Sequence, residues 1–139
     1  MTLFNLDQIK ILHIEPTTVC QAACPQCARE DIESYNDDKH RSELSLADIK
    51  QLIPENVVAN LDKMFMCGNF GDPAAAKECL EIYQWFRDVN PGITLGMNTN
   101  GAIKNPDWWH RLGKLFNNSS KNYVITNYNN NKKKHEAKG

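Results

Sequence analysis

Nowhere in its 139 residues does the chain have an apolar run near the ~20 residues a membrane-crossing helix needs, so no span is expected. It has no excess of either charge. Sixteen Lys and Arg face 17 Asp and Glu, a net charge of −1, and such a balance offers nucleic acid no electrostatic footprint. The opening Met1-Thr2-Leu3-Phe4-Asn5-Leu6-Asp7 lacks a basic region followed by a long apolar one, so no secretory signal is expected. Five cysteines, an odd number with three of them clustered, are not the pattern of a secreted disulfide framework. A reducing, cytoplasmic compartment is therefore expected. The length is one domain's worth, enough for a sizeable core but short for a complete βα-barrel.

The remaining pattern alternates strand and helix. Residues 10–15 read as a strand, with Leu12 and Ile14 on one face and His13 and Glu15 on the other, and Pro16 stops it. Residues 28–43 are polar and irregular and read as a surface loop. Ser45, with Asp48 three residues on, predicts a capped helix whose apolar stripe is Leu46, Ile49, Leu52 and Ile53, ending at Pro54. A second strand is expected over 63–67. Asp72 and Pro73 then look like the cap and first residue of a helix that buries Cys79, Leu80, Tyr83 and Phe86. A third strand over 93–98 puts Ile93, Leu95 and Met97 on one face and Thr94, Gly96 and Asn98 on the other. Asn105-Pro106 opens a third helix with Trp109, Leu112 and Phe116 at helical spacing, and 121–126 reads as a fourth strand. Beyond that, 127–139 has no periodicity and reads as a polar disordered tail, with Lys132-Lys133-Lys134 a solvated run. The expectation is an α/β chain with a parallel sheet over 1–126, three βα units plus a fourth strand.

Cysteine carries the chemistry. Cys20, Cys24 and Cys27, spaced C-x3-C-x2-C, follow the first strand directly, and the short spacers let the backbone wrap three sulfurs around one centre. Thiolates so spaced are the usual ligands of iron–sulfur clusters, with a zinc site or unmetallated thiols as the competing reading. Cys67, at the end of the second strand, reads chiefly as a small buried residue; as a fourth ligand it would close the site. Cys79 reads as core.

The cysteine loop, the turn Gly68-Asn69-Phe70-Gly71-Asp72-Pro73 and the stretch Asn98-Thr99-Asn100-Gly101 together resemble the radical S-adenosylmethionine family, over roughly residues 10–116. The resemblance implies a partial (β/α) barrel of which this chain supplies about half to two-thirds. It implies that Cys20, Cys24 and Cys27 each bind one iron of a [4Fe–4S] cluster, whose fourth iron chelates S-adenosylmethionine. Reductive cleavage to a 5′-deoxyadenosyl radical would then serve hydrogen abstraction from an unidentified substrate, a peptide or a small molecule. It implies a reductant such as a flavodoxin or ferredoxin. Gly68, Asn69, Phe70, Gly71 and Asp72 would face the methionine ammonium group, with Asp72 where the family commonly has Glu. Asn98 and Asn100 would approach the nucleoside. Gln26 stands where an aromatic residue often packs near the adenine, and Gln21 where Asn is common. No residue is singled out for catalysis. The loss of pattern after Thr126 suggests a truncated barrel, completed by a second chain or left as an inactive remnant. A non-catalytic iron–sulfur or zinc module is the further alternative.

Overall fold

The structure is a computed structural model and describes residues 5–22, 24, 27 and 41–126. The expected tail at 127–139, the loop through 28–40 and Gln26 lie outside the described residues.

Four strands make the frame: β1 (Ile11–Ile14), β2 (Lys63–Met66), β3 (Thr94–Thr99) and β4 (Tyr123–Thr126). They lie side by side in the order β1-β2-β3-β4, every neighbouring pair parallel. The connections carry α1 (Leu46–Leu52), α2 (Glu55–Asn60), α3 (Cys79–Val89) and α4 (Pro106–Phe116). Sequential order has a consequence. Crossovers of one hand, taken always in the same direction, deliver their helices to the same face of a sheet, whereas a reversal would place them on both. The buried cluster reflects this: Ile14, Met64, Met66, Leu95 and Met97 of the sheet join residues of all four helices.

Period-two patterning decides the faces. Met64, Met66, Leu95 and Met97 are fully buried toward the helices, each such side chain contributing about 1.5–3 kcal/mol on burial. The register Ile14↔Met66↔Met97 aligns them across three strands. The opposite face carries Ile11, His13, Lys63, Phe65, Thr94, Asn98, Tyr123 and Ile125, and among the described residues no helix covers it. Here His13 stacks on Phe65 at 4.6 Å between ring centroids, and the Lys63 ammonium sits over the Phe65 and Tyr123 rings. β4 is an edge of the described sheet, and its Val124 and Ile125 are exposed.

Helix α3 illustrates local sequence setting packing. Cys79, Ile82, Tyr83 and Phe86 recur at helical spacing and are all fully buried. The Tyr83 hydroxyl donates to the Gly96 carbonyl at 2.7 Å, tying the helix to the inner strand β3. Asn105 caps α4 by accepting from the Trp108 N–H at 3.0 Å, with Pro106 at the first helical position. Ser45 and Asp48 form the expected capping box on α1.

Four expectations need correction. Leu52 is exposed, not part of the buried stripe, because α1 ends at that residue and the chain turns at Pro54 into α2, a helix the pattern did not announce. Asp72 and Pro73 begin a short 3-10 turn, Pro73–Ala75, and α3 itself starts only at Cys79. The third strand runs one residue further, to Thr99, which is buried. Cys67 is half-buried, not a core residue. The four parallel strands do not amount to a closed barrel. Among the described residues no helix is long and apolar enough to cross a membrane.

Candidate functional site

Parallel sheets offer their chemistry at the carboxyl ends of the strands, where the loops converge. Here the loop after β1 carries Cys20, Cys24 and Cys27, the turn after β2 carries Cys67 to Asp72, and β3 ends in Asn98, Thr99 and Asn100. All of these residues line one cleft of about 240 Å³. A larger hollow of about 710 Å³ lies on the outer helical layer among Leu46, Leu80, Trp85 and Leu115. It shares no residue with the cysteine cleft and carries no thiol, so the candidate site is the smaller cavity.

Two loops are pressed together to make the cleft. The Asp72 N–H donates to the Val19 carbonyl at 2.8 Å. Gly71 has no room for a side chain, since a Cβ there would lie 1.9 Å from the Thr17 carbonyl oxygen. At Gly68 a Cβ would come within 2.1 Å of the Gly71 oxygen. Glu15, one residue past β1, accepts from the Asn69 N–H at 3.0 Å and from its side-chain amide at 2.7 Å. The glycine-rich turn is thus held on both sides.

Asp72 is the clasp. It is buried, and its carboxylate accepts from the Ala74 N–H at 2.9 Å, from the Thr99 hydroxyl at 2.7 and 2.9 Å, and from the Asn100 N–H at 2.7 Å. A carboxylate has about four acceptor positions, so these three protein donors take up most of its capacity. Its visible work is to lock the end of β3 against the turn after β2. Thr99, inside a motif noted for its asparagines, is the residue the sequence reading missed. The signal for it was available: one acidic side chain at a strand end and one hydroxyl at the next.

Asn100 carries that lock on to the sulfurs. Its amide and that of Gln21 pair reciprocally, at 2.8 and 3.4 Å. Its Nδ2 also donates to the Cys20 sulfur at 3.6 Å, and the Ala22 N–H donates to the same sulfur at 3.4 Å. Gln21, which departs from the commoner Asn, therefore has a partner across the cleft. Cys27 donates to the Asn69 carbonyl at 3.8 Å. The Asn98 side-chain oxygen is buried without a hydrogen-bond partner, an acceptor in the cleft wall that a bound donor would satisfy. Among the expected residues, Cys20, Cys24, Cys27, Gly68, Asn69, Phe70, Gly71, Asp72, Asn98 and Asn100 all come together here.

Cys67 joins them. It stands one residue beyond β2, its N–H donating to the Ile14 carbonyl at 3.3 Å. Strand alternation turns it away from buried Met66 and into the cleft. Cys79 is elsewhere: it lies in the core, 3.8 Å from the Met66 sulfur, and burial pushes its thiol far above the ordinary range. None of the five cysteines is in a disulfide. Among the described residues, no three Cys, His, Asp or Glu side chains converge on the position of a single metal ion. The sulfurs of Cys20, Cys24, Cys27 and Cys67 instead line one shared cavity.

Fold and site define a singly wound parallel α/β sheet with a four-thiol cleft at its strand ends. No protein-family model and no curated protein matches the chain.

Proposed function

We propose that the chain is a radical S-adenosylmethionine protein, holding a [4Fe–4S] cluster on Cys20, Cys24 and Cys27. The observation that carries this reading is the gathering of the C-x3-C-x2-C loop, the glycine-rich turn and the Asn98–Asn100 stretch around one cleft. When bound, the cluster supplies the electron that cleaves S-adenosylmethionine to a 5′-deoxyadenosyl radical for hydrogen abstraction from the substrate. The protein's own part is to bind, orient and exclude water. Glycines 68 and 71 let the turn after β2 pack backbone to backbone on itself and on the loop after β1, which shapes the cleft wall. Asn98 offers an unused acceptor to a donor such as an ammonium or hydroxyl group. The Ala22 N–H and the Asn100 side-chain amide, both donating to the Cys20 sulfur, are of the kind that tune a cluster through its ligating sulfur. Asp72 acts at one remove, by positioning Asn100.

Anaerobic reconstitution with iron and sulfide, followed by iron and sulfide analysis, tests the reading. Wild-type protein is expected to take up one cluster per chain. Cys20→Ala, Cys24→Ala and Cys27→Ala each abolish it, while Cys79→Ala leaves the iron content unchanged. Full cluster content in any of the first three variants overturns the assignment.

A further inference from the structure

Three cysteines account for three irons, yet the cleft has four thiols. Cys67 lines the cleft together with the cysteine loop, one residue past β2, the strand hydrogen-bonded to β1. Cys27 already touches its neighbourhood through the Asn69 carbonyl, two residues along the turn. Cys67 is half-buried, faces the same space, and is held by the backbone bond to Ile14. The space is also small. About 240 Å³ falls below the ~300–1,000 Å³ usual for ligand pockets, and a cluster alone would fill much of it. Beyond the three thiols of the loop, the cleft is lined by one further thiol, Cys67, and that side chain is the donor at hand for a vacant iron.

We propose that Cys67 is an exchangeable fourth ligand, occupying the open iron until S-adenosylmethionine displaces it. The inference rests on the cluster assignment above. In the capping step the Cys67 thiol gives its proton to solvent, an Fe–S bond forms, and a water or hydroxide leaves the iron. No electron moves, so no oxidant or reductant is needed. In the reverse step S-adenosylmethionine would bind through its carboxylate and its amino group, the Fe–S bond to Cys67 would break, and the proton lost by the ammonium would be balanced by the one the departing thiolate takes up to restore the thiol. The arrangement keeps the reactive iron covered in the absence of cosubstrate and makes binding a competition. If the cap is in place about nine-tenths of the time, apparent affinity falls about tenfold, because only the uncapped fraction is competent.

Two measurements on reconstituted protein test this. The first is mild ferricyanide oxidation followed by electron paramagnetic resonance, which reports loss of an iron not held by a thiolate as a three-iron signal. Wild type is expected to resist the conversion, and Cys67→Ala and Cys67→Ser to undergo it. The second is titration of the reduced cluster's resonance with S-adenosylmethionine, where both variants are expected to respond at about tenfold lower concentration than wild type. Circular dichroism confirms that each variant is folded, and the serine variant serves where the alanine variant is not. Equal conversion in wild type and folded variant, or equal titration midpoints, overturns the role of Cys67 and leaves the three-cysteine assignment standing. Failure of wild type to form any cluster overturns both.

Discussion

Removing the Asp72 carboxylate is the perturbation with the most to reveal, because one side chain holds two strand ends together. Asp72→Ala deprives the Ala74 N–H, the Asn100 N–H and the Thr99 hydroxyl of their acceptor at a site that is only 4% exposed. Each buried group so stranded costs about 1–3 kcal/mol. Allowing for water reaching the outermost of the three, the expected loss is about 3–5 kcal/mol, a large share of the ~5–15 kcal/mol by which domains are stable. Thr99→Val alone removes a hydrogen bond to a charged group and is expected to cost about 1.5–3 kcal/mol. The two residues act through one contact, so the double variant should be less destabilised than the sum, by a coupling of about 1.5–3 kcal/mol. Urea unfolding of the reduced, cluster-free protein, followed by circular dichroism under anaerobic conditions, reads all four corners of the cycle. Additivity within about 0.5 kcal/mol would refute the clasp. So would an Asp72→Asn variant as stable as wild type, since its amide nitrogen must set a donor against a donor.

Gly71→Ala forces a methyl group onto the Thr17 carbonyl, and the loop must move; an overpacking loss of about 1–3 kcal/mol, with reduced iron retention after reconstitution, is the expected outcome. Tyr83→Phe leaves the Gly96 carbonyl without its 2.7 Å partner and should cost about 1–2 kcal/mol in urea unfolding. Burial holds the Tyr83 phenol well above its ordinary range, so its contribution is complete below that range and is lost as pH rises through and beyond it; the variant's stability should decline less in alkali than that of wild type. Hydrogen bonds from the Ser45 hydroxyl and N–H hold Asp48 below its ordinary value. Its contribution is present above the unfolded value and lost as pH falls through the lowered one, so urea midpoints between about pH 6 and 3 should fall less steeply for Asp48→Asn than for wild type.

Much of this molecule is written locally. Alternation along 93–98 assigned Leu95 and Met97 to the helices and Thr94 and Asn98 to the other face, and the sheet is built that way, because parity along a strand needs no distant information. Caps at Ser45 and Asn105 are equally local, each a side chain answering an N–H three residues away. The cysteine spacing and two further motifs, each at the end of a strand, are the stretches that line the cleft. Other features depend on what sits across the gap. Leu52 has the right spacing to be buried but falls at the last residue of a short helix, where only the path of the following chain decides its exposure. Cys67 carries the same letters as a core cysteine; strand pairing with β1 is what sets it facing the thiol loop. Asp72 looked like a cap with reach to a ligand, and the cap is real; what the sequence did not show is that it also accepts from Thr99 and Asn100, 27 and 28 residues away. Sequence by itself determined which residues turn toward the helices and which loops bring cysteine and asparagine to the strand ends. Tertiary structure alone decided which groups in those loops are spent on one another and which remain to meet a ligand, since hydrogen-bond partners so far apart in the chain are chosen by the fold.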